Sequence, residues 1–276
     1  MRRVRHPVAT TFALLGLSFL WVPLVVVLVN SFNQDTVMSG WGGFTGSWYR
    51  QAFNDEAVRA GLRTTIVVAL LSTLLSVVLA VTAVLWWRRA PVAARRVFDA
   101  FVYARIILPE AVFAIALFFF FNRIGFSLGL TAIVIGHTVW NSAYATLIIQ
   151  ARMVGLDPAL DEAAADLGAT PWRAFRRVTL ALLLPGIIAA ALLSFTFSFD
   201  DIVTSYFMAG SAHPPLPIVL FGMIRFKITP EINAIGVLIM LFTITLLTSA
   251  VLSLAAAGSV GRRARTGVLS LYGQDR

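Results

Sequence analysis

Charge is missing from five long stretches of this chain, and no other feature constrains its fold as strongly. No Asp, Glu, Lys or Arg occurs from His6 to Gln34, Thr64 to Trp87, Ile124 to Ala151, Val178 to Phe199 or Ile232 to Gly261. A further apolar stretch, Ile106 to Asn122, is interrupted only by Glu110. About 20 apolar residues in a helix cross a bilayer core of roughly 30 Å. Inside lipid every backbone N–H and C=O must find a partner, which a helix provides within one segment. The chain therefore reads as an all-α membrane protein of six transmembrane helices, drawn at roughly 8–30, 64–87, 101–122, 127–150, 178–199 and 233–257. The first stretch follows Arg2, Arg3 and Arg5 as a secretory signal would. Its apolar run is too long for one, and Asn30-Ser31-Phe32 makes a poor cleavage site, so it is read as retained.

The formal net charge of +9 suggests a nucleic-acid partner until the charges are located. With the N-terminus inside, Arg2, Arg3, Arg5, Arg88, Arg89, Arg95, Arg96, Arg152, Arg173, Arg176, Arg177, Arg262, Arg263, Arg265 and Arg276 all fall on the inner side. The outer segments hold Arg50, Arg59, Arg63, Arg123, Arg225 and Lys227. That asymmetry sets an N-in, C-in topology in a cell membrane, with lipid rather than nucleic acid as the extended partner. The absence of Cys excludes disulfides and thiol chemistry. No G-x-x-x-x-G-K-[ST] occurs, and the sole lysine, Lys227, is on the outer side, so nucleotide hydrolysis is not this chain's chemistry. Three histidines without ligand spacing support no metal site.

Three connections carry information. Residues 31–62 form a Gly- and Trp-bearing outer loop. Residues 200–231 are too apolar for an ordinary loop, and Ile218–Ile224 is expected to dip back towards the bilayer. The inner connection 151–177 is patterned like folded structure. Asp157 precedes Pro158 as N-cap and first helical residue. Leu160, Ala163, Ala164 and Leu167 then fall on one helical stripe. Gly168 suits the left-handed position after a helix, and Thr170-Pro171 starts a second helix with Trp172, Phe175 and Val178 on one side. The expectation is a helix–turn–helix lying across the inner face. Three domain segments follow: 1–62, a core at 63–257 containing this loop, and an inner tail at 258–276.

Glu162-Ala163-Ala164, three residues, Gly168, nine residues, then Val178-Thr179-Leu180 resembles the E-A-A-x3-G-x9-I-x-L-P loop of ABC importer permeases. Ala181 stands where that pattern has proline, and Pro185 comes four residues later. The resemblance implies a type I (MetI-like) permease fold that is itself non-catalytic. It further implies that Glu162, Ala163, Ala164 and Gly168 dock on a separate ATP-binding cassette ATPase dimer, which would hold ATP and Mg. A homologous second permease subunit and an extracytoplasmic binding protein complete the implied assembly, with no cofactor in this chain.

Acids inside such a chain need an account. A carboxylate near a span centre costs about 2.5–3.5 kcal/mol on insertion scales. Such groups face a water-filled cavity, a cation or a substrate. Asp200 and Asp201 end the fifth span, where the alternative is a loop start in water. Glu110 follows Pro109, where a kink opens a polar face; the alternative is an ion pair with Arg105. Trp48 and Tyr49 could cover an ammonium group or sit in an interfacial belt. Phe195, Phe197 and Phe199 are read as packing, and His137 as a helix–helix hydrogen bonder.

SFTFSFDDIVTSYFMAG with the downstream LPIVLFGMIRFKITPEINAIGVLI, GFTGSWYRQAF and ILPEAV are together similar to spermidine/putrescine permease subunits. That resemblance assigns Trp48, Glu110, Ser198, Asp200 and Asp201 to a polyamine path. Two other readings stay open. The same architecture could carry another small solute, such as an amino acid derivative, an opine-like compound or a metal ion. A proton-coupled secondary carrier would instead be expected to show an internal repeat, and none is visible.

Overall fold

The computed structural model describes residues 7–37, 39–157, 159–210, 214–226 and 228–249. Pro158, His213, Lys227, the last part of the sixth expected span and the tail at 258–276 lie outside the described residues. The helices are α1 (Pro7–Asn30), α2 (Ser47–Asn54), α3 (Glu56–Arg89), α4 (Val92–Ile107), α5 (Glu110–Arg123) and α6 (Leu130–Val154). They continue with α7 (Ala159–Asp166), α8 (Pro171–Ala174), α9 (Leu180–Phe199), α10 (Val203–Met208), α11 (Leu216–Phe226) and α12 (Pro230–Ser249).

Glu56–Arg89, Leu130–Val154, the continuous run Pro171–Phe199 and Pro230–Ser249 are long and apolar enough to cross a membrane. The pair α4 and α5 makes a fifth span if its 103° bend is one broken crossing. Six were expected; Leu14–Asn30 of α1 counts among the shorter apolar helices. The third span is thus not the continuous helix 101–122. Pro109 has no N–H to donate and forces Leu108 out of the helical region. Both are extended, Leu108 at ψ 126° and Pro109 at ψ 136°.

Two compact units divide the chain. One joins the residues up to Arg59 with Val219–Thr245. Its outer loop is tied by backbone bonds from Gln34 N to Gly43 O and from Thr45 N to Phe32 O. The Asp35 carboxylate accepts from Val37 N, Ser39 N and Ser39 Oγ. Gly42 is required there, since a Cβ would lie 2.9 Å from Asp35 N. Gln51 of α2 donates to Glu231 at the start of α12, 2.9 Å away.

The other unit contains Ala60–Ile218 and packs around α6, which lies along α9. Small residues let those helices approach, as in other lipid-embedded bundles. Ala143, Ala145 and Ala190 are buried, and a Cβ on Gly136 would fall 2.7 Å from Thr204 Cγ2 of α10. Polar bonds add to this packing: Ser76 donates to Thr138 O, Asn141 to Ser194 O, and Gln150 of α6 to Asp99 of α4.

The loop 151–177 folds largely as its pattern dictates. The Asp157 carboxylate accepts from Ala159 N. Gly168, at φ +76°, closes α7 with its N–H to Ala165 O while Ala169 N reaches Ala164 O. This is the paired-bond cap that uses a left-handed glycine. Thr170 caps Pro171 by accepting from Arg173 N. The second helix departs from expectation. It runs through a π-helical turn at Phe175–Thr179 directly into α9, so it is the inner end of a span rather than a free hairpin arm.

Candidate functional site

Glu110, Asp200 and Asp201 line one cavity of about 450 Å³, together with Trp140, Tyr144, Phe197, Ile202 and Val203. Local chain geometry explains why acids sit there. Glu110 opens α5 directly after the Pro109 break, and a helix N-terminus favours a carboxylate. Asp200 follows the last residue of α9, and Asp201, two residues before the short α10, accepts from Ser205 N at 2.9 Å. Because α5 and α10 pack together, the two helix starts converge. Glu110 and Asp201 are thereby brought to one cavity although 91 residues separate them in the chain. Asp200 is exposed, Glu110 half-buried and Asp201 buried, so the acids are graded in depth.

Behind Asp201 stands a buried polar knot. His137 of α6 is 1% exposed. Its Nδ1 is hydrogen-bonded to Ser198 Oγ at 2.7 Å and its Nε2 to Ser205 Oγ at 3.1 Å, with Asp201 Oδ1 3.4 Å away. Ser72 of α3 donates to Ser198 at 3.0 Å. His137 is thus a helix–helix hydrogen bonder, linking α6 to α9 and α10. Ser198 belongs to this knot and is not among the residues lining the cavity.

Three more residues lining the cavity are aromatic: Trp140, Tyr144 and Phe197. Tyr144 is 6.2 Å from Trp140 and meets Phe197 edge-on at 5.2 Å. Phe197, read from sequence as packing, therefore also faces the cavity. Trp140 and Tyr144 went unmarked in the sequence, although a signal exists. His137, Trp140, Asn141 and Tyr144 follow i, i+3, i+4, i+7, one polar and aromatic stripe along an apolar span. Arg105 forms no described ion pair with Glu110. Its guanidinium lies 3.7 Å from the Trp140 ring centre and 4.1 Å from that of Phe113.

Trp48 belongs to the first unit, where its indole N–H donates to Asn33 O at 2.8 Å. Of the loop residues, Glu162 lines a separate cavity of about 330 Å³ with Arg88, Arg89, Pro171 and Phe175. Leu160, Ala163 and Leu167 of the stripe are exposed, and Ala164 is half-buried where α7 meets the following helix. No group of three metal-ligating side chains occurs among the described residues.

Residues 72–265 match the family described as binding-protein-dependent transport system inner membrane component. The spermidine/putrescine transport system permease protein PotC of Haemophilus influenzae is 31% identical over 230 residues, 83% of this chain and 89% of that protein. The putrescine transport system permease protein PotI of Escherichia coli is 30% identical over 244 residues, 86% of this chain and 87% of that one. Among solved structures, a bacterial ABC transporter involved in the import of the acidic polysaccharide alginate aligns with a TM-score of 0.68 and 14% identity, over 90% of this chain and 96% of that chain. An inward-facing MetNI methionine ABC transporter aligns at 0.59 and 19% identity, over 71% of this chain and 94% of that chain. At these identities the structural likeness establishes the fold.

Proposed function

Starting from a chain that belongs to the family of binding-protein-dependent transport system inner membrane components, we propose that it forms the translocation path of an ATP-driven polyamine importer. The observation that carries this reading is the cavity in which Glu110, Asp200 and Asp201 face Trp140, Tyr144 and Phe197. A polyamine is several ammonium groups on a thin aliphatic chain. Carboxylates pair with the ammonium groups, and aromatic faces take both the charge and the methylenes. An anionic cargo would be repelled by the same three acids. The graded burial of the acids suits passage, because a path needs several modest sites rather than one deep trap. The names of the two relatives point to the same cargo. Trp48 and Ser198 complete the assigned set, Trp48 from the outer loop and Ser198 by holding His137 in register.

ATP and Mg act in a partner. The exposed stripe Leu160, Ala163 and Leu167 is the face by which the loop docks on an ATPase subunit. Gly168 fixes its exit angle, and Glu162 sits beside Arg88 and Arg89 at the inner end of α3. Closure of the ATPase dimer then pulls on α9 through the unbroken run Pro171–Phe199. A second permease subunit and an extracytoplasmic binding protein complete the importer. The test is ATP-dependent uptake of labelled spermidine and putrescine by the complex reconstituted in liposomes. Saturable uptake resisted by excess amino acids supports the reading; uptake of neither polyamine refutes it.

A further inference from the structure

Arg105 lines one groove and lies against Trp140, which lines the acidic cavity, and its bonding is unlike that of its neighbours. Arg95 donates from Nε to Ala90 O and from its terminal nitrogen to Arg88 O. Arg152 donates from Nε to Leu182 O. These are arginines fastened to backbone carbonyls, the expected state of a cation near lipid. Nε and both terminal nitrogens of Arg105 are buried without any hydrogen-bond partner. What holds the guanidinium is the pair of rings at 3.7 and 4.1 Å, from Trp140 and Phe113. The two rings are themselves 5.8 Å apart and tilted by 45°, a cleft that accepts one flat cation.

Trp140 also lines the acidic cavity, so one ring borders both the cleft and the cavity. On the other side Arg105 lines a groove of about 510 Å³ with Leu79, Thr82, Phe98 and Ser142, which gives the side chain somewhere to go. Resting on the polyamine reading above, we propose that the Phe113–Trp140 cleft is a cation subsite of the path. Arg105 fills it in this conformation and is displaced by an ammonium group of the cargo. Arg105 is then a tethered competitor. It keeps the cleft occupied when no cargo is present and lowers the affinity of the loaded path, which favours release. Leaving the cleft costs it no hydrogen bond, because it makes none there.

The experiment uses the full importer in liposomes with labelled spermidine as probe. Arg105→Leu is expected to lower the KM for uptake by about tenfold or more, the scale of one desolvated cation–π contact, while kcat falls because release slows. Arg105→Lys, which restores a cation, returns KM to within about threefold of the wild type. An unchanged or raised KM in Arg105→Leu overturns the proposal. So does failure of both Arg105→Leu and Arg105→Gln to assemble, since a displaceable side chain is dispensable for folding.

A second readout does not depend on the cargo. In purified Arg105→Ala, low millimolar guanidinium should raise the melting temperature by refilling the cleft, and should not do so in Arg105→Ala/Trp140→Leu. Equal responses in the two proteins overturn the subsite. A wild type that takes up no spermidine, with the guanidinium effect intact, overturns the cargo and leaves the subsite standing.

Discussion

Replacing His137 by Leu keeps the volume of a buried side chain and removes every polar contact it makes. Two hydrogen bonds go, to Ser198 at 2.7 Å and to Ser205 at 3.1 Å. Polar contacts between membrane helices average about 0.6 kcal/mol and reach about 1.7 for the best placed. Asp201 also loses the imidazole 3.4 Å away, at a position where its side chain is only 5% exposed. A buried group deprived of a polar neighbour costs about 1–3 kcal/mol. The sum is a loss of about 2–6 kcal/mol. Asp201 retains the amide of Ser205 and Ser198 retains Ser72, which limits the damage. The assay is unfolding of the purified chain in detergent by denaturant, paired with spermidine uptake by the assembled importer. His137→Leu should unfold more easily and show a raised KM, and His137→Gln, which can keep one of the bonds, should fall between it and the wild type. A Leu variant as stable as the wild type, with normal KM, would refute the claim that this knot fixes Asp201.

Other perturbations separate the remaining roles. Gly168→Asp and Glu162→Arg should abolish ATP-coupled uptake with membrane insertion intact. The first puts a side chain on a φ of +76°, and the second sets a third cation beside Arg88 and Arg89; normal uptake would remove the loop's coupling role. Gly136→Val should destabilise the core by about 1–3 kcal/mol by pushing on Thr204, seen as a lowered unfolding midpoint. In the outer loop, bonds from the Val37 amide and then the Ser39 hydroxyl hold the Asp35 carboxyl below its ordinary value. A depressed value stabilises the loop above the unfolded pKa of about 3.9, and that stability is lost as pH falls through the folded one. Asp35→Asn should therefore show weakened amide protection at Val37 and Ser39 already at neutral pH.

How much of this was legible in the sequence depends on what kind of interaction each feature uses. Most of the spans were, because a lipid-crossing segment declares itself by the absence of charge, and the first helix and caps of the loop 151–177 were, because caps are local chemistry. Gly168 and Thr170 sit where their residue types said they would. The convergence of Glu110 with Asp201 was only guessed at, since it depends on how far the chain turns at Leu108-Pro109. A proline signals a kink but not a 103° break. Trp140, Tyr144 and the ring clamp on Arg105 were missed for a related reason. In an apolar span an aromatic side chain facing lipid and one facing a cavity have the same local sequence, and only the packing of α4, α5 and α9 around α6 tells them apart. The π-helical turn at Phe175–Thr179 likewise has no marker among its own residues.

The chain has no cysteine, so one introduced thiol reports on one position of it. The most direct measurement puts that thiol at Tyr144, which lines the cavity with the acids, and follows its modification by a cationic methanethiosulfonate in the assembled importer, read as a mass shift of this chain. If the cavity lies on a cation route, Tyr144→Cys is modified and spermidine slows the reaction, while an anionic reagent of the same size reacts far more slowly. A thiol that never reacts, or that reacts at the same rate with and without spermidine and with reagents of either charge, would contradict the account.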